Sequence, residues 1–424
     1  MGFMASIERE ILKTIAPSQS ERQQLENVCR EFISLLSMVM VEQEVLLGGS
    51  TAKDTWLKGN HDVDIFVLFN HESFKEASDQ LSTLLEGGLK KAFKGEVINR
   101  LHGSRDYFQI QFKGLLFEVV PILAISRAEQ ACNITDISPL HSAWVNANTA
   151  SLKDDIRLVK QFCRAHKLYG AESYIRGFSG YVLEILIAHY GSFKGLLEAS
   201  LRWKVRTVID VEGHYPSKEM ALFHLNTSKT KSPLIVIDPV DKNRNAAAAL
   251  DEEKFLSFKT LAKQYLAEPR VDFFVQKVLT LENVSAKAAS LQGKCVFIQV
   301  EGLEGKNDVV GAKLLKVLHF LVEGLKPFGV LASDWDWHGV KAEFAVWVKR
   351  AKLPSFEERQ GPPIEMDSAV RAFKAAHENC YEKNGLLYAK IPYKQRELGE
   401  YAHTLLAQRY VAEKISSVVS VKVV

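Results

Sequence analysis

The sequence predicts a multidomain α+β protein, and three observations lead to that prediction. The chain of 424 residues is too long for a single hydrophobic core. Near its start, two apolar, strand-like runs flank a helical turn in the segment VLLGGSTAKDTWLKGNHDVDIFVLF, residues 45–69. After residue 150 the pattern is largely helical, and from about residue 293 strands and helices alternate. We therefore expect a domain with a mixed sheet and helices, a helical central domain and an α+β C-terminal region.

The composition is that of an ordinary globular protein. Hydrophobic residues make up 47% of the chain and charged residues 25%. Because 54 basic residues stand against 51 acidic ones, any affinity for nucleic acid has to come from local basic patches. The five cysteines show no CxxC spacing, which argues against a zinc site or a disulfide framework. No apolar run reaches the length of a transmembrane helix, so we expect a cytoplasmic protein without a membrane partner.

The first elements predict a phosphate-binding turn. Residues 21–40 have apolar side chains at helical spacing, which predicts a helix behind the sheet. The next apolar run ends in Gly48, Gly49 and Ser50. A glycine pair lets the backbone approach a triphosphate closely, and the N–H groups that open the following helix, with the Ser50 hydroxyl, form an anion site.

Two aspartates open the second apolar strand and predict a metal site. Side chains two residues apart on a strand point to the same face, so Asp62 and Asp64 project together while Val63 faces the core. Mg²⁺ prefers oxygen ligands and commonly shares them with substrate phosphates. Two such ions can brace the attacking and the leaving oxygen of a displacement. We therefore predict two Mg²⁺ ions beside the phosphate-binding turn.

A third acidic residue follows on a later strand. After the DVD strand we predict a charged helix over residues 72–94. The alternating segment DYFQIQF, a turn at Lys113 and Gly114, and the run LLFEVVP then predict a hairpin that carries Glu118. On a mixed sheet of four or five strands, Glu118 would lie beside Asp62 and Asp64 if its strand neighbours theirs.

The order GGS, DVD and a later strand carboxylate resembles the DNA polymerase β-type nucleotidyltransferases. The longer stretches GGSTAKDTWLKG, SPLHSAW, LYGAESYIRGFSGY and IDPVDKNRNAAAAL are similar to the archaeal, class I CCA-adding tRNA nucleotidyltransferases. These stretches run from residue 48 to about residue 250 in family order. The resemblance implies template-independent addition and repair of the 3′-terminal CCA of tRNA, using CTP and ATP and releasing pyrophosphate.

The resemblance also implies roles for individual residues. Asp62, Asp64 and Glu118 would be the catalytic residues and the metal ligands, with Glu118 orienting or deprotonating the attacking hydroxyl. The nucleotide would be bound by Gly49, Ser50, Lys53, His141, Lys160, Tyr169 and Arg244. Arg244 would help to read the incoming base.

Two positions depart from the pattern of the family. Glu118 stands where the family usually has aspartate, and the extra methylene moves the carboxylate oxygens outward. Lys53 stands where the family often has arginine, so a point charge replaces a planar fork. Both changes keep the charge of the position.

The central segment contains charged residues that need an explanation of their own. We predict a helix from Lys153 to His166 with Arg157, Lys160 and Arg164 on a basic, solvated face. A largely buried helix over residues 179–190 contains the single charged residue Glu184. For this residue we predict an ion pair with a nearby arginine such as Arg176.

Two further central segments have basic side chains. The segment RWKVR, residues 202–206, predicts a helix that grips phosphates and stacks a base or ribose. Arg244 leaves a strand–turn segment, and its structural alternative to base recognition is an ion pair with Asp238 or Asp241.

The C-terminal part predicts a small α+β sandwich. It contains a strand at KCVFIQV, a helix over 308–324, a possible strand over 328–333 and a strand at AEFAVWVKR. Two helices follow, over 367–377 and 394–413, around a strand at 387–391. We divide the chain into a nucleotidyltransferase domain (1–140), a helical nucleotide-binding domain (141–268) and a tRNA-binding region (269–424).

The expected partners are tRNA, ATP and CTP, and a homodimer is one candidate for the oligomeric state. Two other functions are considered. The first is another polymerase β-like enzyme, such as a poly(A) polymerase or an oligoadenylate synthetase-like protein, and the segments RGFSGY and DPVDKNRN argue against it. The second is a non-catalytic RNA-binding protein with a degenerate site. Glu118 in place of the usual aspartate suggests this function, and the intact set of three acids argues against it.

Overall fold

A computed structural model describes residues 2–59 and 62–424 of the chain. By contacts the chain divides into two compact units, Met1–Lys277 and Val278–Val424. This division leaves the three-domain arrangement of the sequence analysis a prediction. None of the described helices is long and apolar enough to cross a membrane.

The elements of the first unit are as follows. Its helices are α1 (Gly2–Ile15), α2 (Gln19–Ser37), α3 (Gly49–Ala52), α4 (His71–Phe74), α5 (Leu81–Ala92), α6 (Ser138–Asn148), α7 (Lys153–Ala165), α8 (Gly180–Tyr190), α9 (Phe193–Ser200), α10 (Lys218–His224) and α11 (Glu252–Ala267). Its strands are β1 (Glu44–Leu47), β2 (Asp62–Asn70), β3 (Ile98–Leu101), β4 (Tyr107–Phe112), β5 (Leu115–Ala124), β6 (Thr207–Ile209) and β7 (Leu234–Val236). Short 3-10 turns lie at Lys75–Ala77, Ala128–Gln130, Ile134–Ile137 and Val271–Phe274.

A mixed sheet organises the first half of this unit. Among the described strands, five pair in the order β1–β2–β5–β4–β3. β2 and β5 run parallel, with Asp64 opposite Glu118, and the other neighbours in this sheet are antiparallel. The hairpin of β4 and β5 turns at Lys113 and Gly114, whose φ angles are 48° and 82°. The predicted mixed sheet and the predicted neighbourhood of the two acidic strands are confirmed.

Aromatic packing fixes α2 behind this sheet. The fully buried ring of Phe32 stacks on Phe117, with 4.0 Å between ring centroids, and on Phe93 at 4.3 Å. α2 begins in a capping box in which Ser18 and Glu21 each bond the other's backbone N–H. The predicted helix behind the sheet is confirmed, and its apolar side fills the core of this half of the unit.

The predicted single helix over residues 72–94 is wrong. α4 ends at Phe74, a 3-10 turn follows, and α5 begins only at Leu81. Leu81, Leu85 and Leu89 are buried at helical spacing in α5, whereas residues 71–80 contain no buried side chain. Burial on a core-facing side therefore stabilises only the second part as a regular helix.

The second half of the unit has a separate hydrophobic core built mainly from α1, α7, α8, α9 and α11. α8 is the buried helix that the sequence predicts. Its N-terminus is capped by Ser179, whose hydroxyl accepts a hydrogen bond from the Val182 N–H, and Gly191 ends it with a φ of 75°.

The predicted helix over residues 202–206 is wrong. This segment is a loop, and Trp203 is buried with its ring stacked near Phe255 and Phe258, at centroid distances of 6.0 and 5.8 Å. The Trp203 indole N–H donates to the Tyr190 hydroxyl at 3.0 Å. Because its ring fills the core, Trp203 is not available to stack on a base.

The second unit contains helices α12 (Leu281–Ser290), α13 (Asn307–Gly324), α14 (Asp367–Ala376), α15 (Leu398–Leu406) and α16 (Arg409–Ala412). Its strands are β8 (Lys294–Gly302), β9 (Val330–His338), β10 (Lys341–Val348), β11 (Phe356–Pro363), β12 (Cys380–Lys383), β13 (Leu386–Pro392) and β14 (Ile415–Val423), and a 3-10 turn lies at Lys326–Phe328. Within the described chain the strands form two sheets, β14–β8–β10–β9 and β11–β13–β12. The α+β character is confirmed. The predicted helix over 394–413 divides into α15 and α16, and the strands β11, β12 and β14 were not predicted.

We expect Phe32→Ala to lower the free energy of unfolding of the first unit by about 3–5 kcal/mol, because the ring is fully buried between two other rings. Thermal and denaturant unfolding would measure the loss. Val41→Ala is the matched control, since Val41 is 80% exposed. A Phe32→Ala protein as stable as the Val41→Ala protein would contradict the assignment of this core.

Candidate active site

The turn from β1 to α3 lies directly against β2. Gly48 donates its backbone N–H to the Asp64 carbonyl at 2.8 Å. Gly49 has a φ of +57°, and a Cβ atom at this position would lie 1.6 Å from Oδ2 of Asp64. A Cβ atom at Gly48 would lie 2.4 Å from the Phe66 ring. Both glycines are therefore required by close approach, and the first brings the backbone of the turn onto the strand that contains the acids.

The three predicted acids lie on two adjacent strands. Asp62 and Asp64 flank the fully buried Val63 on β2, as the spacing of two predicts. Glu118 on β5 lies opposite Asp64 in the parallel register. Its Oε1 accepts a hydrogen bond from Nε2 of Gln109 at 2.7 Å. Among the residues that the structure describes, no three His, Cys, Asp or Glu side chains converge into a ready-made metal cage.

Burial destabilises the ionised carboxylates on these two strands. It raises the pKa of Asp64 to about 7, and the Glu118 charge adds to the rise while Lys53 opposes it. Burial likewise raises the pKa of Glu118, against the hydrogen bond from Gln109. Hard carboxylate oxygens that are partly desolvated and mutually repelling fit a divalent cation, which would neutralise them together.

A buried carboxylate connects the segment that follows α3 to the helical half of this unit. Glu184 on α8 has no exposed surface. Its Oε2 accepts a hydrogen bond from the Lys53 ammonium at 2.6 Å. Its Oε1 accepts from the Lys160 ammonium at 2.8 Å and from the Thr55 hydroxyl at 2.7 Å. Burial raises the pKa of Glu184, but the two lysines outweigh this effect and lower it to about 2.

The predicted pairing of Glu184 with Arg176 is therefore wrong. Arg176 has a half-exposed side chain whose Nε lies 3.9 Å from Oδ2 of Asp251. Glu184 lies in the second turn of α8, and that part of the helix faces α7 and residues 53–55. A buried carboxylate has to be paired by the groups that its helix face meets, whatever their distance along the chain.

The basic face predicted for α7 is also wrong for two of its three residues. Arg157 and Lys160 are 1% and 3% exposed. Arg157 donates to the backbone carbonyls of Trp56 and Asp54 and to the Asp54 carboxylate. The Lys160 ammonium donates to Glu184, to the Thr55 hydroxyl and to the Thr55 carbonyl. All three of its N–H groups are thus engaged within the protein.

A second buried carboxylate, Asp238, holds His141 and Arg244. It accepts hydrogen bonds from Nε2 of His141 and from the Tyr181 hydroxyl, both at 3.0 Å, and it forms an ion pair with Arg244. The ring of His141 packs on that of Tyr181 at a centroid distance of 4.1 Å. Burial raises the pKa of Asp238, but His141 and Arg244 lower it to about 2. The ion pair proposed as the structural alternative for Arg244 is present.

Tyr169 packs beside the start of α8. Its ring lies below the Arg164 guanidinium at 5.3 Å, and burial raises its pKa to about 12. A Cβ atom at Gly180 would lie 2.9 Å from the Tyr169 hydroxyl and 3.7 Å from the Lys160 ammonium. The glycine that opens α8 therefore gives Tyr169 its place next to Lys160.

All of the predicted site residues lie in the first unit, and eight of the ten form three groups. The other two are Ser50, which follows Gly49 in α3, and Tyr169, which packs beside Lys160. The acids and Gly49 lie on β2, β5 and the turn that packs against them, Lys53 and Lys160 meet at Glu184, and His141 and Arg244 meet at Asp238. Thr55 and Tyr181 contact these carboxylates and were not predicted from the sequence. Tyr181 lies in the quoted segment RGFSGY, which was a signal, whereas nothing in the sequence marks Thr55.

Comparison with known proteins identifies the relatives of this chain. Residues 23–138 match the family model of the nucleotidyltransferase domain, and residues 154–275 match that of the second domain of tRNA nucleotidyltransferases. A solved structure of a cytoplasmic RNA terminal U-transferase aligns with a TM-score of 0.51 and 14% identity. That alignment covers 65% of this chain and 99% of the other, and it concerns the fold alone.

Curated relatives extend over most of the chain. A CCA-adding enzyme of Nanoarchaeum equitans is 35% identical over 376 residues, which cover 88% of this chain and 90% of that protein. A CCA-adding enzyme of Methanothermobacter thermautotrophicus is 30% identical over 408 residues, which cover 94% of this chain and 87% of that protein. The resemblance inferred from the motifs is confirmed, and the chain belongs to the archaeal-type CCA-adding enzymes, a family of polymerase β-like tRNA nucleotidyltransferases.

Proposed function

We propose that this protein adds and repairs the 3′-terminal CCA of tRNA, using CTP and ATP without a template and releasing pyrophosphate. The observation that supports this most strongly is the register of Asp64 opposite Glu118, with Gly49 packed on Asp64, in a chain that belongs to the CCA-adding family. In this proposal the turn at Gly49 binds phosphate beside the two strands that contain the acids.

Asp62, Asp64 and Glu118 are proposed as the ligands of two Mg²⁺ ions. When bound, such ions neutralise the triphosphate and stabilise both the attacking and the leaving oxygen. Carboxylates two apart on one strand and a third on the parallel neighbour supply the hard oxygen ligands that Mg²⁺ prefers. Glutamate at position 118 keeps that donor chemistry, with its oxygens one methylene further from the strand.

The proposed reaction is an in-line displacement at the α-phosphorus. The 3′-oxygen of tRNA forms a new bond to phosphorus, and the bond to the bridging oxygen of the leaving pyrophosphate breaks, so that pyrophosphate takes the electron pair. Glu118 orients the attacking hydroxyl and accepts its proton. Because the chemistry is mainly positioning and charge stabilisation, the distances between these groups decide the rate.

Nucleotide binding is assigned to the turn and to both buried carboxylate clusters. The backbone at Gly49, with Ser50 and Lys53, would hold the triphosphate. The Lys53 ammonium has one N–H on Glu184 and two further N–H groups to offer to phosphate oxygens. Lys160 uses all three, so a contact with phosphate would replace one of its bonds to Thr55.

The other assigned nucleotide contacts are His141, Tyr169 and Arg244. Tyr169 packs next to Gly180 and Lys160, close to the triphosphate lysines. His141 and Arg244 are joined at Asp238, and they would contact the base. This division assigns the two ends of the nucleotide to two different buried carboxylates.

The second unit is proposed to bind tRNA. One face of the sheet β11–β13–β12 combines lysines with aromatic rings. The Lys390 ammonium lies 4.6 Å from the ring centroid of Phe356 and 5.4 Å from that of Tyr381, and the Lys383 ammonium lies 5.5 Å from that of Tyr388. Ammonium groups bind phosphates and aromatic faces stack on bases or riboses, so such a surface suits RNA.

We also place the protein in the cytoplasm, with tRNA as its substrate, and consider a homodimer as its assembly. A poly(A) polymerase or an oligoadenylate synthetase-like enzyme would share the acidic strands. Relatives at 30–35% identity over most of the chain favour CCA addition instead. A non-catalytic RNA-binding protein would not need three acids on paired strands.

The direct test uses purified protein, Mg²⁺, tRNA that lacks its last three nucleotides, and labelled CTP and ATP supplied singly and together. We expect incorporation of C from CTP alone and of A once both nucleotides are present.

Asp64→Ala should reduce incorporation below about 1% of the wild-type rate and leave tRNA binding nearly intact, because the metals serve the chemistry rather than the binding of RNA. An Asp64→Ala variant with turnover near wild type would remove the DVD strand from the active site.

We expect Gly49→Ala to reduce the rate of incorporation at least about a hundredfold, since a Cβ atom would displace the Asp64 carboxylate. Gly114→Ala is the matched control. It also replaces a glycine of positive φ, but a Cβ atom there meets no neighbour within 4 Å. Its activity should stay within about twofold of wild type, because only backbone strain is added. Equal activities of the two variants would refute the proposed function of the turn.

Substitution of Glu118 separates charge from size. Glu118→Asp should remain active, within roughly tenfold of wild type, because the surrounding strands keep the charge near its place. Glu118→Gln keeps the size but loses the charge, and we expect a loss on the order of a hundredfold or more in single-turnover rate. If the Gln variant is as active as wild type, another carboxylate has to serve as the third acid.

A further inference from the structure

Asp238 lies in the loop after β7 and has no exposed surface. Four hydrogen-bond donors converge on its carboxylate. Nε2 of His141 and the guanidinium of Arg244 donate to Oδ2, while the Tyr181 hydroxyl and the Val240 N–H donate to Oδ1. A carboxylate accepts about four such bonds, so this one is saturated and cannot turn without breaking a contact.

The loop that carries Arg244 is closed by backbone bonds. The Asp238 N–H donates to the Arg244 carbonyl at 3.0 Å, and the Arg244 N–H donates to the Asp241 carbonyl at 2.9 Å. The Asn245 side chain accepts from the Val236 N–H at 2.9 Å. The backbone of Arg244 and its guanidinium are therefore both fixed relative to Asp238.

These contacts define which atoms remain for a ligand. Arg244 uses one of its five N–H groups on Asp238, and its side chain is 30% exposed. An ionised Asp238 can only accept, so Nε2 of His141 must carry the hydrogen and Nδ1 is left as the other ring nitrogen. The carboxylate thus sets both the direction of the guanidinium fork and the tautomer of the imidazole.

Such a pair can distinguish C and A from U and G. The base-pairing edges of C and A both offer a ring nitrogen that accepts a hydrogen bond beside an exocyclic amino group. In U and G the corresponding ring nitrogen has a hydrogen, and the neighbouring group is a carbonyl. Because a guanidinium only donates, it suits the acceptor nitrogen of C or A and opposes the N–H of U or G. The guanidinium discriminates between the bases only if its orientation is fixed. A fixed guanidinium is left with unpaired donors when U or G binds, and buried unpaired donors strongly disfavour the wrong base.

We propose that Asp238 is a positioning residue for base selection, which holds Arg244 and His141 in the one arrangement that accepts C and A and rejects U and G. The assignment rests on the proposed function, because it concerns the nucleotide of that reaction. Asp238 does not itself touch the nucleotide. Its influence passes through the arginine and the histidine.

The test is Asp238→Asn in the full-length protein. The amide keeps the size but turns one acceptor into a donor, so the donors of Arg244, His141 and Tyr181 cannot all be satisfied. The ratio of kcat/KM for CTP to that for UTP is measured on tRNA lacking CCA, and the ratio for ATP to GTP on tRNA ending in CC. We expect both ratios to fall at least about tenfold. Ratios within twofold of wild type in the folded variant would overturn the proposal.

Two further variants keep the test decisive. Asp155→Asn is the control: Asp155 accepts from the Phe193 N–H at 2.8 Å in the same unit, and no bond joins it to His141 or Arg244 among those described. It should lower the melting temperature but leave both ratios unchanged, and a matching fall in its ratios would overturn the proposal. Should Asp238→Asn not fold, Tyr181→Phe decides, because it removes one donor and keeps the ring on His141. We expect about a threefold or larger fall in the ratios, and unchanged ratios would overturn the proposal.

The outcome for the proposed function is separate. A wild-type protein that incorporates neither C nor A would refute that function directly. A wild-type protein that selects C and A, with a folded Asp238→Asn variant that selects equally well, would refute only the role of Asp238.

Discussion

The buried carboxylate of Glu184 is the constraint on which the first unit depends. An ionised group without water has to be paired, and the loss of one partner from such a pair typically costs about 3–5 kcal/mol. Here the partners are Lys53 and Thr55 from the segment after α3 and Lys160 from α7. The requirement to satisfy one carboxylate therefore ties the mixed sheet to the helical half and fixes the segment that follows the proposed phosphate-binding turn.

A different constraint operates where the turn meets β2. The absence of a side chain at Gly49 lets the Asp64 carboxyl lie directly against the backbone of the proposed phosphate-binding turn. That closeness destabilises the ionised acids, and burial raises the pKa of both Asp64 and Glu118. The Lys53 charge opposes the rise in the Asp64 pKa but does not cancel it. A site of this kind has a strong driving force to bind cations.

The sequence predicted the elements whose signal is local. Alternation and a spacing of two placed Asp62, Asp64 and Glu118 on the right strands, and apolar spacing predicted α2 and α8. Contacts between distant segments were the failures. Lys53 and Glu184 are 131 positions apart, and the sequence suggested the nearby Arg176 as the partner of Glu184 instead. Nothing in RWKVR indicates that the Trp203 ring fills a hydrophobic core. The charge of the basic residues on α7 predicted a solvated face, but Arg157 and Lys160 are buried.

The two carboxylate clusters are linked by α8, and this gives the helix a role beyond packing. Tyr181 and Glu184 are three residues apart, so they lie on one side of the helix about 4.5 Å apart along its axis. Tyr181 reaches Asp238, and Glu184 reaches the lysines. The helix therefore sets the distance between the groups assigned to the base and those assigned to the triphosphate. An enzyme that selects a nucleotide without a template needs that distance to be set by the protein itself. The largely apolar helix α8 sets it through the positions of Tyr181 and Glu184.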